Sequence, residues 1–318
     1  MKKFIGTAKA AKILKNADNI LIFTHRRPDF DTIGSALALE YALKKLGKKA
    51  GFVCSDVLSK RFLLITERLE TKIDFEPQTV VCVDMATDEM FGDYREKYAD
   101  KALLSIDHHF SCTPYAEYTC LDSEASATGE IIFDICKKLG VLQDKTLATY
   151  LYSAISSDSG CFKYSNTTPR THKIAASLME TGIDHAYLDR MIHDMRSPSM
   201  MKLQELALKT LKYYAGGKIA VMAVTLNMCK KSKVEPSEMD AVVQLPRTVE
   251  GVEVGITLKQ TEKDKFKVSV RSNDYFDATA LAGIYGGGGH IRASGFSVCG
   301  SDIEALSDEI AANAEKLL

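Results

Sequence analysis

An α/β chain with a doubly wound, mainly parallel sheet in its N-terminal domain and a smaller α+β C-terminal domain is the fold class that this sequence predicts. Three observations predict it. The chain has 318 residues, more than the roughly 250–300 that one hydrophobic core usually serves. Short apolar runs alternate with helix-period stretches up to about residue 185, the pattern of strands joined by crossover helices. Beyond about residue 216, strand-like runs follow one another closely, which suits a sheet with few crossovers.

The elements follow in order. "NILIF", "AGFVC", "TVVCVDMA" and "ALLSIDHH" begin as strands too apolar to be exposed. "ALALEYALKKLG" has helical spacing and stops at Gly47, and "SATGEIIFDICKKLG" reads as a second helix ending at Gly140. Residues 186–215 look mostly helical, with a break at Pro198 and a Gly216-Gly217 pair just after, and are expected to link the domains. This gives 1–185, a linker 186–215, and a second domain 216–318 built from "KIAVMAVTL", "VEVGITLKQ", "KFKVSVRS", a glycine run, "GFSV" and a last helix.

Composition narrows the function. The 46% hydrophobic content is ordinary for a globular protein, and no apolar run approaches the roughly 18 residues of a membrane span. The start, "MKKFIGTAKAAKILKNAD", has no sustained apolar signal core, so a cytoplasmic protein is expected. The eight cysteines form no CxxC pair, several sit inside apolar runs, and they read as buried free thiols rather than disulfides or a zinc site. A net charge of −1 argues against a protein that coats long nucleic acid by bulk electrostatics. It leaves open a small anion held by a few placed cations.

The chemistry concentrates in loops. "THRRPDFDTIGS" sets His25, Asp29 and Asp31 between a strand and a helix, where α/β sheets expose functional groups. The stretch reads either as metal ligands of the oxygen and imidazole type or as an acidic turn with Asp29 or Asp31 capping the helix. The pattern recurs: Asp84 follows one apolar run, Asp107, His108 and His109 follow another, and Asp158 follows a helix-like segment. If these loops meet at one sheet edge, they form a two-metal site.

"HRRPDFD" with "GS", then "VDMA", "DHH" and "SDSGCFKYSNTTP", resemble the successive motifs of the DHH phosphoesterase superfamily. "VSVRSNDYFDATALAGIYGGGGHIRASG" resembles the DHH-associated substrate domain. The compact layout is most similar to NrnA-like members, which act as oligoribonucleases and 3′-phosphoadenosine-5′-phosphate phosphatases. The resemblance implies that His25, Asp29 and Asp84 hold one divalent ion and that Asp31, Asp84, His108 and Asp158 hold the second. The ions are expected to be Mn²⁺, with Mg²⁺ or Co²⁺ as alternatives. The resemblance also implies catalytic roles for Asp84 and His109, His109 contacting the scissile phosphate or protonating the leaving oxygen. Asp107 either orients a histidine or satisfies backbone groups.

Four ligating carboxylates cancel two divalent ions, so further cations are needed for an anionic substrate. Arg271 is expected to supply a guanidinium beside Ser272. Gly287, Gly288 and Gly289 offer a backbone without Cβ that a ligand can approach, with His290 as an added donor. Asn166 and Thr168 either bind substrate or form the turn before Pro169.

The function implied is hydrolysis of short oligoribonucleotides and linear dinucleotides, together with dephosphorylation of the bisphosphate nucleotide to AMP. Cyclic-dinucleotide phosphodiesterase is the alternative within the enzyme class. A nucleotide-binding regulator that lost catalysis is the non-enzyme alternative, opposed by the presence of every expected ligand. Partners are short RNAs and small nucleotides, with no long nucleic-acid track and no membrane; a homodimer stays open.

Overall fold

The structure, a computed structural model, describes residues 2–141 and 144–318. The chain divides into two compact units, Met1–Met195 and Arg196–Leu318.

In the first unit, strands β1 (Lys3–Phe4), β2 (Ile20–Thr24), β3 (Ala50–Cys54), β4 (Thr79–Val83), β5 (Ala102–Asp107) and β6 (Tyr118–Leu121) form one sheet in the order β1-β6-β5-β4-β2-β3. Every neighbouring pair is parallel. Alternate residues feed opposite faces: Ile20 and Ile22 join one core cluster, Leu21 and Phe23 another. The first face is covered by helices α1 (Thr7–Asn16), α2 (Phe30–Lys45), α4 (Thr128–Leu139) and α5 (Lys145–Asp158). The second face is covered more thinly, by 3₁₀ turns over Asp88–Tyr94 and the short helix α3 (Arg95–Tyr98). There Phe23 meets Phe91 edge-on at 4.8 Å, burial that stabilises by about 3 kcal/mol for such a ring. Two further helices, α6 (Pro169–Met179) and α7 (His185–Asp189), complete the unit.

The connections reverse direction at β2, which lies between β3 and β4. The carboxyl ends of β2 and β4 therefore flank a topological switch point, the crevice where such sheets bind ligands.

In the second unit, helices α8 (Pro198–Leu208), α9 (Leu226–Ser232), α10 (Ala278–Ile284) and α11 (Ile303–Glu315) surround a mixed sheet. Its strands are β7 (Lys212–Tyr214), β8 (Ile219–Val224), β9 (Val254–Glu262), β10 (Lys265–Ser272), β11 (Gly288–His290) and β12 (Ala293–Cys299), in the order β11-β12-β10-β9-β8-β7. The β8–β9 pair is parallel and the others are antiparallel.

Three expectations change here. Residues 186–215 are not a free connection: the chain to Met195 belongs to the first unit, and α8 buries Met200, Leu203 and Ala207 against Met222 and Val224 of β8. Pro198 begins α8, capped by Ser197, and does not break a helix, because the first turn needs no amide donor there. Gly216 and Gly217, with φ of 63° and 91°, turn the chain between β7 and β8. All eight cysteines are free, but Cys299 is exposed and Cys112 and Cys161 are half-buried. No helix among the described residues is long and apolar enough to cross a membrane.

Candidate metal centre

The first unit gathers the predicted acids and histidines at the switch point. His25 follows β2, Asp84 follows β4, and Asp107, His108 and His109 stand at the end of β5. Asp29 and Asp31 lie at the start of α2, and Asp158 ends α5, so a helix terminus contributes alongside the strand ends.

Three overlapping donor groups converge: His25, Asp29 and Asp84; Asp31, His108 and Asp158; and Asp84, His108 and His109, with donor atoms in each within 4.8 Å of one another. Asp84 stands between the first two: Oδ2 is 3.4 Å from His25 Nε2, and Oδ1 is 3.7 Å from His108 Nε2. His108 Nε2 also lies 3.4 Å from Asp158 Oδ2 and 3.9 Å from Asp31 Oδ2. Both rings are aimed from behind, His25 Nδ1 facing the Arg26 carbonyl at 2.8 Å and His108 Nδ1 the Ala125 carbonyl at 3.1 Å. In the neutral ring such bonds hold the proton on Nδ1 and free Nε2 toward the carboxylates, the tautomer a metal-ligating histidine needs. The donor set thus fits divalent ions of the oxygen and imidazole type.

His109 is arranged differently. Its Nδ1 donates to Asp107 Oδ1 at 2.8 Å. The same oxygen accepts the backbone amides of His108 and His109. Asp107 therefore does both things its sequence position allowed, orienting a histidine and satisfying the loop.

The crowded acids and histidines shift one another's titration. Burial, reinforced by Asp84, Asp158 and Asp29, pushes Asp31 well above the usual carboxylate range. Burial also drives Asp158 up to about 7, with Asp29 and Asp84 adding to it. His25 moves the other way from its burial: the Asp84 bond and the Asp29 and Asp84 charges overcome desolvation and raise it to about 9. Asp84 is likewise pushed up by burial but is held below the usual carboxylate range by the three histidines around it.

Asp29 serves as the helix cap that one reading of its loop expected, and it stays close to His25. It caps α2, accepting from Thr32 N at 2.9 Å, and keeps Oδ1 3.8 Å from His25 Nε2. The "GS" that follows is explained too. A Cβ at Gly34 would stand 2.6 Å from the Tyr150 carbonyl of α5, so only glycine allows α2 and α5 to pack this closely. Ser35 Oγ donates to Asp31 Oδ1 at 3.1 Å.

Sequence reasoning missed Thr128 and Gly129. At the start of α4 their amides donate to Asp31 at 2.8 and 3.0 Å, and Thr128 Oγ1 donates to Asp84 Oδ1 at 2.8 Å. The signal was "SATGE", small residues opening a helix, and helix starts are where amides gather anions.

The predicted substrate residues fall in two places. Asn166 Nδ2 donates to the Ser126 and Asp158 carbonyls, bracing the turn behind Asp158, while its buried Oδ1 has no hydrogen-bond partner. Thr168 caps α6 in a reciprocal box with Thr171, so its hydroxyl serves the helix start. In the second unit, Arg271 pairs with Ala293, which pairs with His290. Directly opposed residues share a face, so Arg271 and His290 flank a small residue on one side of the sheet. Ser272 is buried with an unpartnered Oγ. The glycine run, expected as a loop, is partly strand β11. A Cβ at Gly287 would come within 2.3 Å of the Gly295 carbonyl, and one at Gly289 within 2.7 Å of the Ala293 carbonyl, whereas Gly288 meets nothing within 4 Å. Two of the three glycines are thus demanded by β12, leaving Gly288 open to a ligand.

Residues 19–155 match the DHH family N-terminal domain and residues 216–316 match the DHHA1 domain. The chain is 33% identical over 305 residues to the bifunctional oligoribonuclease and PAP phosphatase NrnA of Thermus thermophilus, covering 94% of this chain and 90% of that protein. It is 28% identical to the protein of the same name from Bacillus subtilis, covering 94% and 95% respectively. Among solved structures, an exopolyphosphatase-related protein from Bacteroides fragilis superposes with a TM-score of 0.88 at 23% identity, over 98% of this chain and 95% of that one. RecJ from Thermus thermophilus, solved in complex with Mn²⁺, superposes with a TM-score of 0.58 at 15% identity, over 98% of this chain and 54% of that one.

Proposed function

Because the chain belongs to the DHH family, we propose that it is a two-metal phosphoesterase that hydrolyses short oligoribonucleotides to mononucleotides and converts 3′-phosphoadenosine-5′-phosphate to AMP. The observation that carries this reading is the position of Asp84 between two ligand groups whose histidines both turn Nε2 inward. His25, Asp29 and Asp84 would hold one ion, and Asp31, Asp84, His108 and Asp158 the other. Oxygen and imidazole donors without a thiolate suit Mn²⁺, with Mg²⁺ and Co²⁺ close behind. When bound, such a pair polarises phosphoryl oxygens and lowers the pKa of an attacking water.

The chain's own groups do the rest. Asp107 accepts the Nδ1 proton of His109, which leaves Nε2 to meet the phosphate or protonate the departing oxygen. Burial opposes the charge on His109, but Asp107 and Asp84 outweigh it and hold the ring's pKa above its ordinary value, as a proton donor requires. Arg271 and His290 would hold a phosphate or base of the substrate. A net charge of −1 offers no basic track for a polymer, which favours substrates of a few nucleotides. Free cysteines suit the reducing cytoplasm, the compartment assigned here.

The test is a panel with chelator-treated protein resupplied with Mn²⁺: the bisphosphate nucleotide, RNA dimers to pentamers, a long RNA, and cyclic dinucleotides. Turnover of the first two classes is expected, with kcat/KM for long RNA at least about tenfold lower. A preference for cyclic dinucleotides would assign the alternative phosphodiesterase activity. Equal or better processing of long RNA would overturn the short-substrate reading, and silence across the panel would overturn the enzyme.

A further inference from the structure

A separate cluster of metal-ligating side chains lies in the first unit outside the centre described above. Cys161, Asp189 and His193 bring sulfur, oxygen and nitrogen donors within 4.8 Å of one another, all three half-buried. We propose that these residues form a separate binding site for a thiophilic divalent cation of the Zn²⁺ class.

Two departures from regular backbone build the cluster. After α5 the chain passes through Gly160, Cys161 and Phe162 at φ of 59°, 58° and 61°, successive left-handed residues. For a non-glycine residue this conformation costs about 1–2 kcal/mol, and such cost persists where the surroundings impose it. It delivers the Cys161 thiol to the Asp189 and His193 side chains. On the other side, α7 ends at Asp189 and continues as a π-helical turn over Arg190–Asp194 that carries His193. Turns of this kind are rare and occur frequently at functional sites.

The surroundings orient the ligands as a metal site requires. Tyr152 Oη donates to Asp189 Oδ2 at 2.8 Å from behind, leaving Oδ1 directed inward. Ser156 Oγ donates to Oδ1 at 2.5 Å and lies 2.9 Å from His193 Nε2, accepting its proton. The hydroxyl thus bridges the two groups an ion would bridge. When the cation enters, the thiol releases its proton to solvent, the imidazole proton moves to Nδ1, and Ser156 gives up the two bonds. A thiolate, an imidazole and a carboxylate with one position left for water is a zinc-type donor set. An ion there ties the turn following Asp158 to α7, stiffening the segment that carries this acid. The absence of a CxxC pair hid the site, because its ligands are 28 and 32 residues from Cys161 along the chain (189 − 161 and 193 − 161).

The test uses the full chain, stripped with a chelator and titrated with Co²⁺. The Asp and His centre includes no cysteine among its described donors, so a thiolate-to-cobalt charge-transfer band in the near ultraviolet reports the new site alone. The wild type is expected to show the band. Cys161→Ser, a near-isosteric change, should abolish it while leaving circular dichroism unchanged. Tyr152→Phe, which frees Asp189 from its orienting bond, should weaken Co²⁺ affinity at this site by about tenfold or more. Zn²⁺ should raise Tm further in the wild type than in Cys161→Ser. Absence of the band in the wild type, or its persistence in Cys161→Ser, would overturn the site. Neither readout depends on catalytic activity, so the site and the phosphoesterase reading fail separately.

Discussion

Thr128 Oγ1 donates a 2.8 Å hydrogen bond to Asp84 Oδ1, joining the first turn of one helix to the carboxylate that stands between both ligand groups. Replacing Thr128 by Val keeps the shape and the backbone amide to Asp31 but removes this donor. Metal affinity or kcat is expected to fall about 10–100-fold. Thr128→Ser should restore most of the loss, and Mn²⁺ titration followed by turnover with a dinucleotide checks both.

His109 should separate from the ligands in its behaviour. His109→Ala is expected to lower kcat by about 10²–10⁴-fold while metal content is unchanged. Asp107→Asn should move in the same direction, because the ring keeps an acceptor but loses the negative charge that favours its protonated form. Metal analysis of the purified variants, set beside kcat, decides; loss of an ion from His109→Ala would exchange the roles of His108 and His109.

Removing metal should make stability depend on pH with a definite sign. Asp158 is raised from 3.8 to about 7 in the folded protein, so between these values the native state binds the extra proton. His25 is raised from 6.5 to about 9 and does the same in the next window. Stability therefore falls as pH rises from about 4 to about 9, because the unfolded state holds fewer protons throughout. Melting curves of the chelated protein should show Tm declining across that range, and saturating Mn²⁺ should flatten the decline. A metal-free Tm that rises steadily with pH would contradict it.

Arg271→Ala and His290→Ala should impair nucleotide substrates far more than a small artificial phosphodiester such as bis-p-nitrophenyl phosphate, with both ions retained. The two side chains share a face through Ala293, so the double variant should lose less than the product of the single effects. Comparing kcat/KM for both substrates across the four proteins checks this; equal losses on both would make these residues part of the chemistry or of the fold.

Much of the fold could be read in the chain because strands buried on both faces write themselves as unbroken apolar runs, as Thr79–Val83 does. The acids at their ends were visible for the same reason. Less legible were features that depend on two distant segments meeting. Nothing local to Thr128 announces Asp84, and nothing in the glycine run says that Gly287 and Gly289 answer to β12. Pro198 was misjudged because proline both starts and stops helices, and only the Ser197 cap decides between them.

Asp84 adopts a left-handed backbone, with φ of 60°. That conformation is comfortable for Asp, Asn and Gly and awkward for nearly everything else, while ligation selects Asp among them. Asn and Gly are thus the replacements this backbone accepts at least cost, and each lies one nucleotide change from an aspartate codon. A relative that had abandoned hydrolysis while keeping the scaffold would be recognisable by Asn or Gly at this point. An alanine placed there by design would confound a lost ligand with a disturbed main chain.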